Sequence, residues 1–428
     1  MKKVIIIAYA FPPVGGVGVH RVTKHVKYLK NFGWEPVVLT VANPSVPIVD
    51  EALLQDIPDG VIVFRARSFE PSYAQKKNFA ELRNGWSAQL KLFAKNVLSG
   101  LLLPDIQVLW WPGLIWRLIS MVKNERPNCI FVTAPPFSAF IPVVAIGAFF
   151  KVPVVADFRD EWSFSRAHWE NSAKGKIAKT LDVFFEKYVV SKSTAITAAT
   201  QSYINTLDRN YQLPSGKGTV ITNGFDEDDF VFDQHLRKIC NNKISIVYSG
   251  TVWNGSSLKC FASALHELLD TDPVLQQAFQ IKLFGRVVDT ELSYLKSSDL
   301  EEVIQLFGYI DHSDIIREMC EADILLLVIS DLPGAEKIIV AKTFEYMATG
   351  KHIFAMVPEG ETKTLLSEQY GNVTFANPGD ASDIKEKFLS MIQSFDEIKT
   401  VVGKDVMQYS RRSLTGQLVD VFNRVTSS

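Results

Sequence analysis

Lys342 and Glu345 stand three residues apart in LPGAEKIIVAKTFEYMATGKHIFA, so a helix would put both on one face. An ammonium and a carboxylate spaced this way can divide a nucleotide between them. The lysine and the helix N-terminus suit a diphosphate. The carboxylate can accept two ribose hydroxyls, which is binding work and not acid–base chemistry. An ordinary surface pair has the same spacing, and spacing alone does not separate the two readings. A second concentration of charge, Asp157, Arg159, Asp160 and Glu161, closes the apolar run VPVVADF in VPVVADFRDEW. Charged residues just past a strand bind hydroxyl-rich ligands or, equally, form an internal ion-pair knot. The third feature is FPPVGGVGVHR, with glycines at 15, 16 and 18 followed by His20 and Arg21. A glycine-rich turn lets backbone N–H groups approach an anion, or serves only to turn the chain tightly.

The elements that must position these residues alternate. VIIIAYA reads as a buried strand, and VHRVTKHVKYLKNFG as a helix with Val19, Val22, Val26 and Leu29 at helical spacing. EPVVLTV, VIVFRA, CIFVTA and VPVVADF are further strands, and IPVVAIGAFF a buried helix. A second series begins at ISIVYSG and runs through FASALHELL, IKLFG, VIQLFG, HSDIIREMCEA, ILLLVIS, IVAKTFEYMATG and HIFAMV. Strand–helix–strand repetition implies parallel sheets covered by helices, with ligands beyond the carboxyl ends of the strands. The expected class is α/β, two Rossmann-like parallel-sheet domains, over 1–200 and 201–408, with an amphipathic helix in 409–428 that starts near RRSLTGQLVDVFNRV. A length of 428 residues, 47% hydrophobic and 21% charged, suits two globular cores.

Several function classes drop out. A formal charge of −2 gives no global electrostatic case for nucleic acid. Cys129, Cys240, Cys260 and Cys320 are far apart, which indicates neither a zinc site nor a disulfide framework but buried reduced thiols. Counting G-x-G-x-x-G from Gly16 reaches Arg21 at the third glycine position, and VVLTV ends without the acid a dinucleotide ribose needs. No P-loop motif is present. The acidic run DEDDF at 226–230 is favoured at a helix start without any metal, and His266 and His352 read as structural. The amino-terminal apolar run is too short and too soon broken by PPVGGVG for a signal peptide. No apolar run reaches the ~18–20 residues of a spanning helix; LLLPDIQVLWWPGLIWRLISMV and FSAFIPVVAIGAFF come nearest, and read as core before membrane surface.

Taken together in order, FPPVGGVGVHR, LKNFGWEPVVLT, LPDIQVLWWP, TAPPFSAF, VPVVADFRDEW, VITNGFDEDDF, IVYSGTV, LFGYIDHSDI, CEADILLLV and AKTFEYMATGKHIFA resemble family-4-type glycosyltransferases of the GT-B fold, in a bacterial branch serving surface-polysaccharide synthesis. The resemblance spans nearly the whole chain. It implies two domains facing across a cleft, with the acceptor on the amino domain, a sugar nucleotide such as a UDP- or GDP-sugar on the carboxyl domain, and the final helix returning to the amino domain. Transfer would retain anomeric configuration and use neither metal nor separate cofactor. On this resemblance the donor-binding residues are Gly15, Gly16, Gly250, Thr251, Lys259, Arg286, Lys342, Thr343 and Glu345, with Glu345 on the ribose and Lys342 on the diphosphate; Gly15 and Gly16 would let their loop close over the phosphates and sugar. Asp157, Arg159 and His20 are the candidate catalytic residues.

The departures are specific. Where the family often carries Glu-x7-Glu, Lys337 stands at the first position and Glu336 is one place off. After Gly250, TVWNGSSLK offers only Lys259, with Arg286 as a substitute, and Arg159 stands near a position where the family has histidine. A sugar-nucleotide epimerase and a catalytically silent GT-B partner subunit are the rival readings, the second favoured by the missing glutamate. The expected location is cytoplasmic or peripheral at the inner face of the plasma membrane, with no nucleic-acid partner.

Overall fold

The computed structural model describes residues 1–46, 49–75, 102–163, 175–230, 243–296 and 300–427, so Cys240 and Leu101, the first residue of the LLLPDIQ run, lie outside it. The chain forms two compact units, Met1–Thr222 with Arg411–Ser428, and Asn223–Ser410.

The first unit is built on β1 (Lys2–Ile7), α1 (Val17–Leu29), β2 (Trp34–Val41), β3 (Ile62–Ala66), α2 (Trp111–Glu125), β4 (Cys129–Ala134), α3 (Phe140–Phe150), β5 (Val154–Phe158), α4 (Lys176–Lys192), β6 (Ala195–Ala198), α5 (Gln201–Tyr211) and β7 (Gly218–Val220). Among the described residues the strands make a parallel sheet in the order β3-β2-β1-β4-β5-β6-β7. Continuous apolar strands are needed because both faces are covered. Ile5, Ile7, Leu39 and Val132 join a core with α2, α3, α4 and α5, and Val4, Ile6, Val38 and Phe131 join a core with α1. The sequence puts the boundary at 200, whereas the unit runs on to Thr222, because α5 and β7 complete its sheet edge.

The second unit follows the same plan with β8 (Ile244–Ser249), α6 (Lys259–Thr271), β9 (Phe279–Phe284), α7 (Asp289–Lys296), β10 (Ile304–Gly308), α8 (His312–Glu321), β11 (Ile324–Val328), α9 (Lys342–Ala348), β12 (His352–Met356), β13 (Val373–Ala376) and α10 (Ala381–Gln393). Its described strands are ordered β10-β9-β8-β11-β12-β13 and pair in parallel. The chain order reverses between β8 and β11, the kind of switch point at which such sheets bind ligands. The helix expected over IVAKTFEYMATG begins only at Lys342. Ile338, Ile339 and Val340 are consecutive β-branched residues, poor helix formers, and Ile338 is extended.

The last helix, α11 (Arg411–Thr426), belongs to the first unit. Leu414, Leu418 and Phe422 recur at helical spacing and are buried against α1 and the sheet. The Phe422 ring lies 5.2 Å from Trp34 and 5.8 Å from Phe131, and Thr415 Oγ1 is 2.9 Å from His25 Nδ1 on α1. Phe422→Ala removes an aromatic side chain from this layer and should cost the first unit about 3–5 kcal/mol. Denaturant unfolding followed by hydrogen exchange would resolve the loss to α1 and β1; an unchanged midpoint there would contradict the packing role.

Candidate active site

In the first unit the charges beyond β4 and β5 are organised by a residue that the fingerprint count treated only as a mismatch. Arg21, on α1 and 2% exposed, donates to Asp157 through Nε (3.1 Å) and Nη2 (2.8 Å), and to the carbonyls of Thr222 (2.6 Å) and Ile221 (2.8 Å). Asp157 also accepts from Thr133 Oγ1 (2.8 Å) and Thr197 Oγ1 (2.7 Å). Desolvation works to raise this carboxyl, but the Arg21 charge and the hydrogen bonds from Arg21, Thr197 and Thr133 together hold it below the ordinary carboxylate range. Fully buried and accepting four hydrogen bonds, Asp157 has neither access nor a lone pair to give a substrate. It is a structural ion-pair partner, which corrects its place among the catalytic candidates.

Arg159 has a related role. Its Nε donates to Ala134 O (3.1 Å), Nη2 to Pro135 O (2.9 Å) and Nη1 to Gly18 O. It braces the loop after β4 against the start of α1. A Cβ on Gly18 would lie 2.9 Å from Arg159 Nη1, so a side chain at 18 would collide with this brace. Gly16, exposed with φ +104°, makes the turn into α1, and Gly15 is half-buried before it. His20 is half-buried in the first turns of α1.

Past β5, Trp162 Nε1 donates to Asp182 (3.3 Å), and Ser163 Oγ and Tyr211 Oη (2.7 Å) both donate to Glu186. Burial pushes the Glu186 carboxyl up to about 7 against those two hydrogen bonds. The hollow lined by Phe158, Glu161, Glu186 and Tyr203 measures about 10 Å³, the space of one water, so it takes no sugar.

The second unit brings several sequence candidates together at the end of β8. Gly250 (φ +129°) and Gly285 (φ +118°) both have backbone that side-chain-bearing residues avoid. A Cβ on Gly285 would sit 2.3 Å from the Gly250 carbonyl oxygen, and one on Gly250 would sit 2.7 Å from Lys342 Nζ. The two turns are cross-bonded: Gly250 N donates to Phe284 O (2.8 Å) and Val252 N to Arg286 O (2.8 Å). Thr251 O accepts from Tyr248 Oη (3.0 Å) and Ser256 Oγ (2.7 Å). Lys342 Nζ lies 4.0 Å from the centre of the Tyr248 ring, a cation–π contact that fixes the ammonium over Gly250. Tyr346 Oη, one turn along α9, accepts from Ser249 N (2.8 Å) and ties α9 to the same strand end. Glu345, half-buried, meets His312 Nε2 at 3.3 Å, and His312 Nδ1 is 3.9 Å from Asp229.

Gly250, Thr251 and Lys342 therefore converge, and Arg286 joins them through its backbone carbonyl. Glu345 lies along α9 from Lys342. Lys259 does not join them through its side chain: it is exposed at the start of α6, its ammonium 4.9 Å over the Tyr294 ring on α7. Thr343 is fully buried, and its hydroxyl has no hydrogen-bond partner among the described residues. Glu336, the displaced glutamate, accepts from Gly334 N (2.9 Å) within its own turn. Sequence reasoning missed Arg21, Tyr248, Tyr346 and His312. The aromatic Tyr248 with its polar tip at a strand end, and Tyr346 directly after Glu345, were visible signals.

A family model described as Glycosyltransferase Family 4 matches residues 14–229, half of the chain. The chain belongs to this family. The protein is a glycosyltransferase with the GT-B fold, and solved structures agree on the fold. A glycosyltransferase from Rickettsia africae ESF-5 superposes with a TM-score of 0.64 at 13% identity, over 99% of this chain and 98% of that one. Anabaena HepE in complex with UDP gives 0.63 at 14%, over 99% and 100%. A UDP-GlcNAc 2-epimerase from Neisseria meningitidis bound to UDP-GlcNAc gives 0.55 at 14%, over 99% and 100%. No curated protein sequence is similar enough to match.

Two outcomes test the buried charges of this glycosyltransferase. Arg21→Met strands the Asp157 carboxylate in the core and should cost about 3–5 kcal/mol, part of which Arg21→Met/Asp157→Leu recovers; a denaturant series in which the double variant fares no better would exclude an electrostatic cause. Glu186 has a folded value above its ordinary ~4.3, so its contribution is complete below that value and is lost as pH rises through about 7. Glu186→Gln should remove this decline from thermal melting profiles, and parallel profiles would reject it.

Proposed function

We propose that this glycosyltransferase takes its sugar from a nucleoside diphosphate donor held by the second unit and transfers it, with retention of configuration, to a glycan or lipid-linked acceptor in surface-polysaccharide synthesis. The observation that carries the donor assignment is the Gly250–Gly285–Lys342 arrangement. Two positive-φ glycines clear side chains from the carboxyl end of β8, and one ammonium is pinned above the clearing. A diphosphate suits such a place by charge. UDP is the favoured nucleotide, since HepE was solved in complex with it.

In this reading Lys342 offsets the charge that grows on the diphosphate as the bond to the anomeric carbon breaks. It supplies from the chain what a metal ion supplies in other transferases, and the reaction needs no separate cofactor. Glu345 accepts the ribose hydroxyls and His312 orients it. Thr251 and Arg286 border the same clearing. In the first unit, Gly16 and the start of α1 offer backbone N–H groups to an anion, while Arg159 holds that loop in place.

Calorimetry with UDP and with uridine separates the two α9 residues. Lys342→Ala should weaken UDP by about 10–100-fold and leave uridine little changed. Glu345→Ala should weaken both, with the fold intact by circular dichroism. Equal losses for both ligands in Lys342→Ala would remove it from the diphosphate, and full transfer activity in Glu345→Ala would remove the ribose role. Conversion of a UDP-sugar with no acceptor present would assign the protein to epimerases instead.

A further inference from the structure

The helices α2, α3 and α4 cover one face of the first sheet, with α3 packed against both neighbours. Their outer side carries large apolar side chains. Trp116 on α2 is 67% exposed, Phe149 on α3 79%, and Ile177 and Phe184 on α4 78% and 62%. Isolated exposed apolar residues are ordinary; large ones grouped on adjacent helices mark an interaction surface.

Charge identifies what the surface meets. The three helices contain only three acids, Glu125, Asp182 and Glu186. Asp182 and Glu186 are 4% and 1% exposed and point inward, holding Trp162, Ser163 and Tyr211. Glu125 is paired with Lys3 at 3.0 Å. What remains outside is basic: Lys151 just past α3, and Lys176, Lys179 and Lys187 on α4, all exposed. On α4 the outward residues Ile177, Thr180, Phe184 and Lys187 follow helical spacing. This local excess of cations stands in a chain whose formal charge is −2. No helix among the described residues is long and apolar enough to cross a membrane, so aromatic side chains flanked by lysines fit a surface that is anionic outside and apolar just beneath.

We propose that the α2–α3–α4 face of the first unit docks on an anionic phospholipid bilayer, with Trp116, Phe149, Ile177 and Phe184 entering the headgroup boundary and the lysines pairing with lipid phosphates. The proposal extends the reading of the acceptor and stands without the donor assignment, because its test involves no sugar.

Flotation of the full chain with phosphatidylcholine vesicles, with and without phosphatidylglycerol, tests it. The protein should float with the anionic vesicles, much less with the neutral ones, and be released by salt. Ile177→Ser/Phe184→Ser should lower the bound fraction at least about tenfold, and Lys176→Glu/Lys179→Glu should abolish the anionic preference. These side chains are exposed, so melting temperature and UDP affinity should not change. A wild-type chain that stays with neither vesicle, or variants that float like it, would overturn the proposal. So would light scattering that finds a wild-type dimer broken by Ile177→Ser/Phe184→Ser, which would give the face to a second copy of the chain.

Discussion

The Arg21–Asp157 pair is the constraint on which the first unit is assembled. A buried ion pair gains little net stability because desolvating both charges is costly. It is very particular about geometry, however. Arg21 leaves α1, Asp157 ends β5, Thr133 and Thr197 reach in from β4 and β6, and the carbonyls of Ile221 and Thr222 close the arginine's remaining side. One ion pair thus fixes a helix, three strand ends and the point at which the chain leaves the unit. Any shift of α1 would open a bidentate contact in a place that water cannot reach. The loop after β1, carrying Gly15 and Gly16, is held to that frame a second time by Arg159.

The inward acids of α4 follow from the same need. The segment after β5 leaves the sheet with polar groups that burial would otherwise orphan, and an unpaired buried donor costs more than a made bond gains. Asp182 receives the Trp162 indole, and Glu186 receives Ser163 and Tyr211. Using its acids inside leaves lysines as the charges that α4 presents outside. The charge asymmetry of that face is therefore a consequence of how the core is satisfied, and the proposed membrane-facing role would make use of it.

Most of the fold was legible from residues. Continuous apolar runs gave both parallel sheets, and Val19, Val22, Val26 and Leu29 gave the buried face of α1. The boundary near 200 was misplaced because β7 is three residues long and half-buried, too short to carry a periodic signal. In the site, the pair at 342 and 345 could be located by spacing, and Gly250 by its position after a strand. The fates of Asp157 and Thr343 could not. Whether a carboxylate just past a strand faces ligand or core depends on the partner that arrives from elsewhere, and Arg21 is 136 residues from Asp157 in sequence. The sequence allows the ion-pair reading of DFRDEW, but within FPPVGGVGVHR the residue that completes it, Arg21, stands out only as a mismatch to the third glycine.

The charges of the two candidate sites are held differently, and this difference favours the proposed placement of donor binding in the second unit. In the first, Asp157 and Glu186 are sealed, and burial and neighbours shift both carboxyls away from their ordinary range. Perturbed carboxyls are common markers of active sites, but here each is saturated by fixed donors and reports architecture. In the second, Lys342 and Glu345 are only half-buried; the Lys342 ammonium lies over the Tyr248 ring, and Glu345 meets the His312 imidazole. Such contacts orient a charge without consuming all its hydrogen-bonding capacity: an ammonium over a ring face still directs its three donors elsewhere. The proposed grip on a diphosphate would draw on an ammonium held in this way, placed in advance with donors still to direct.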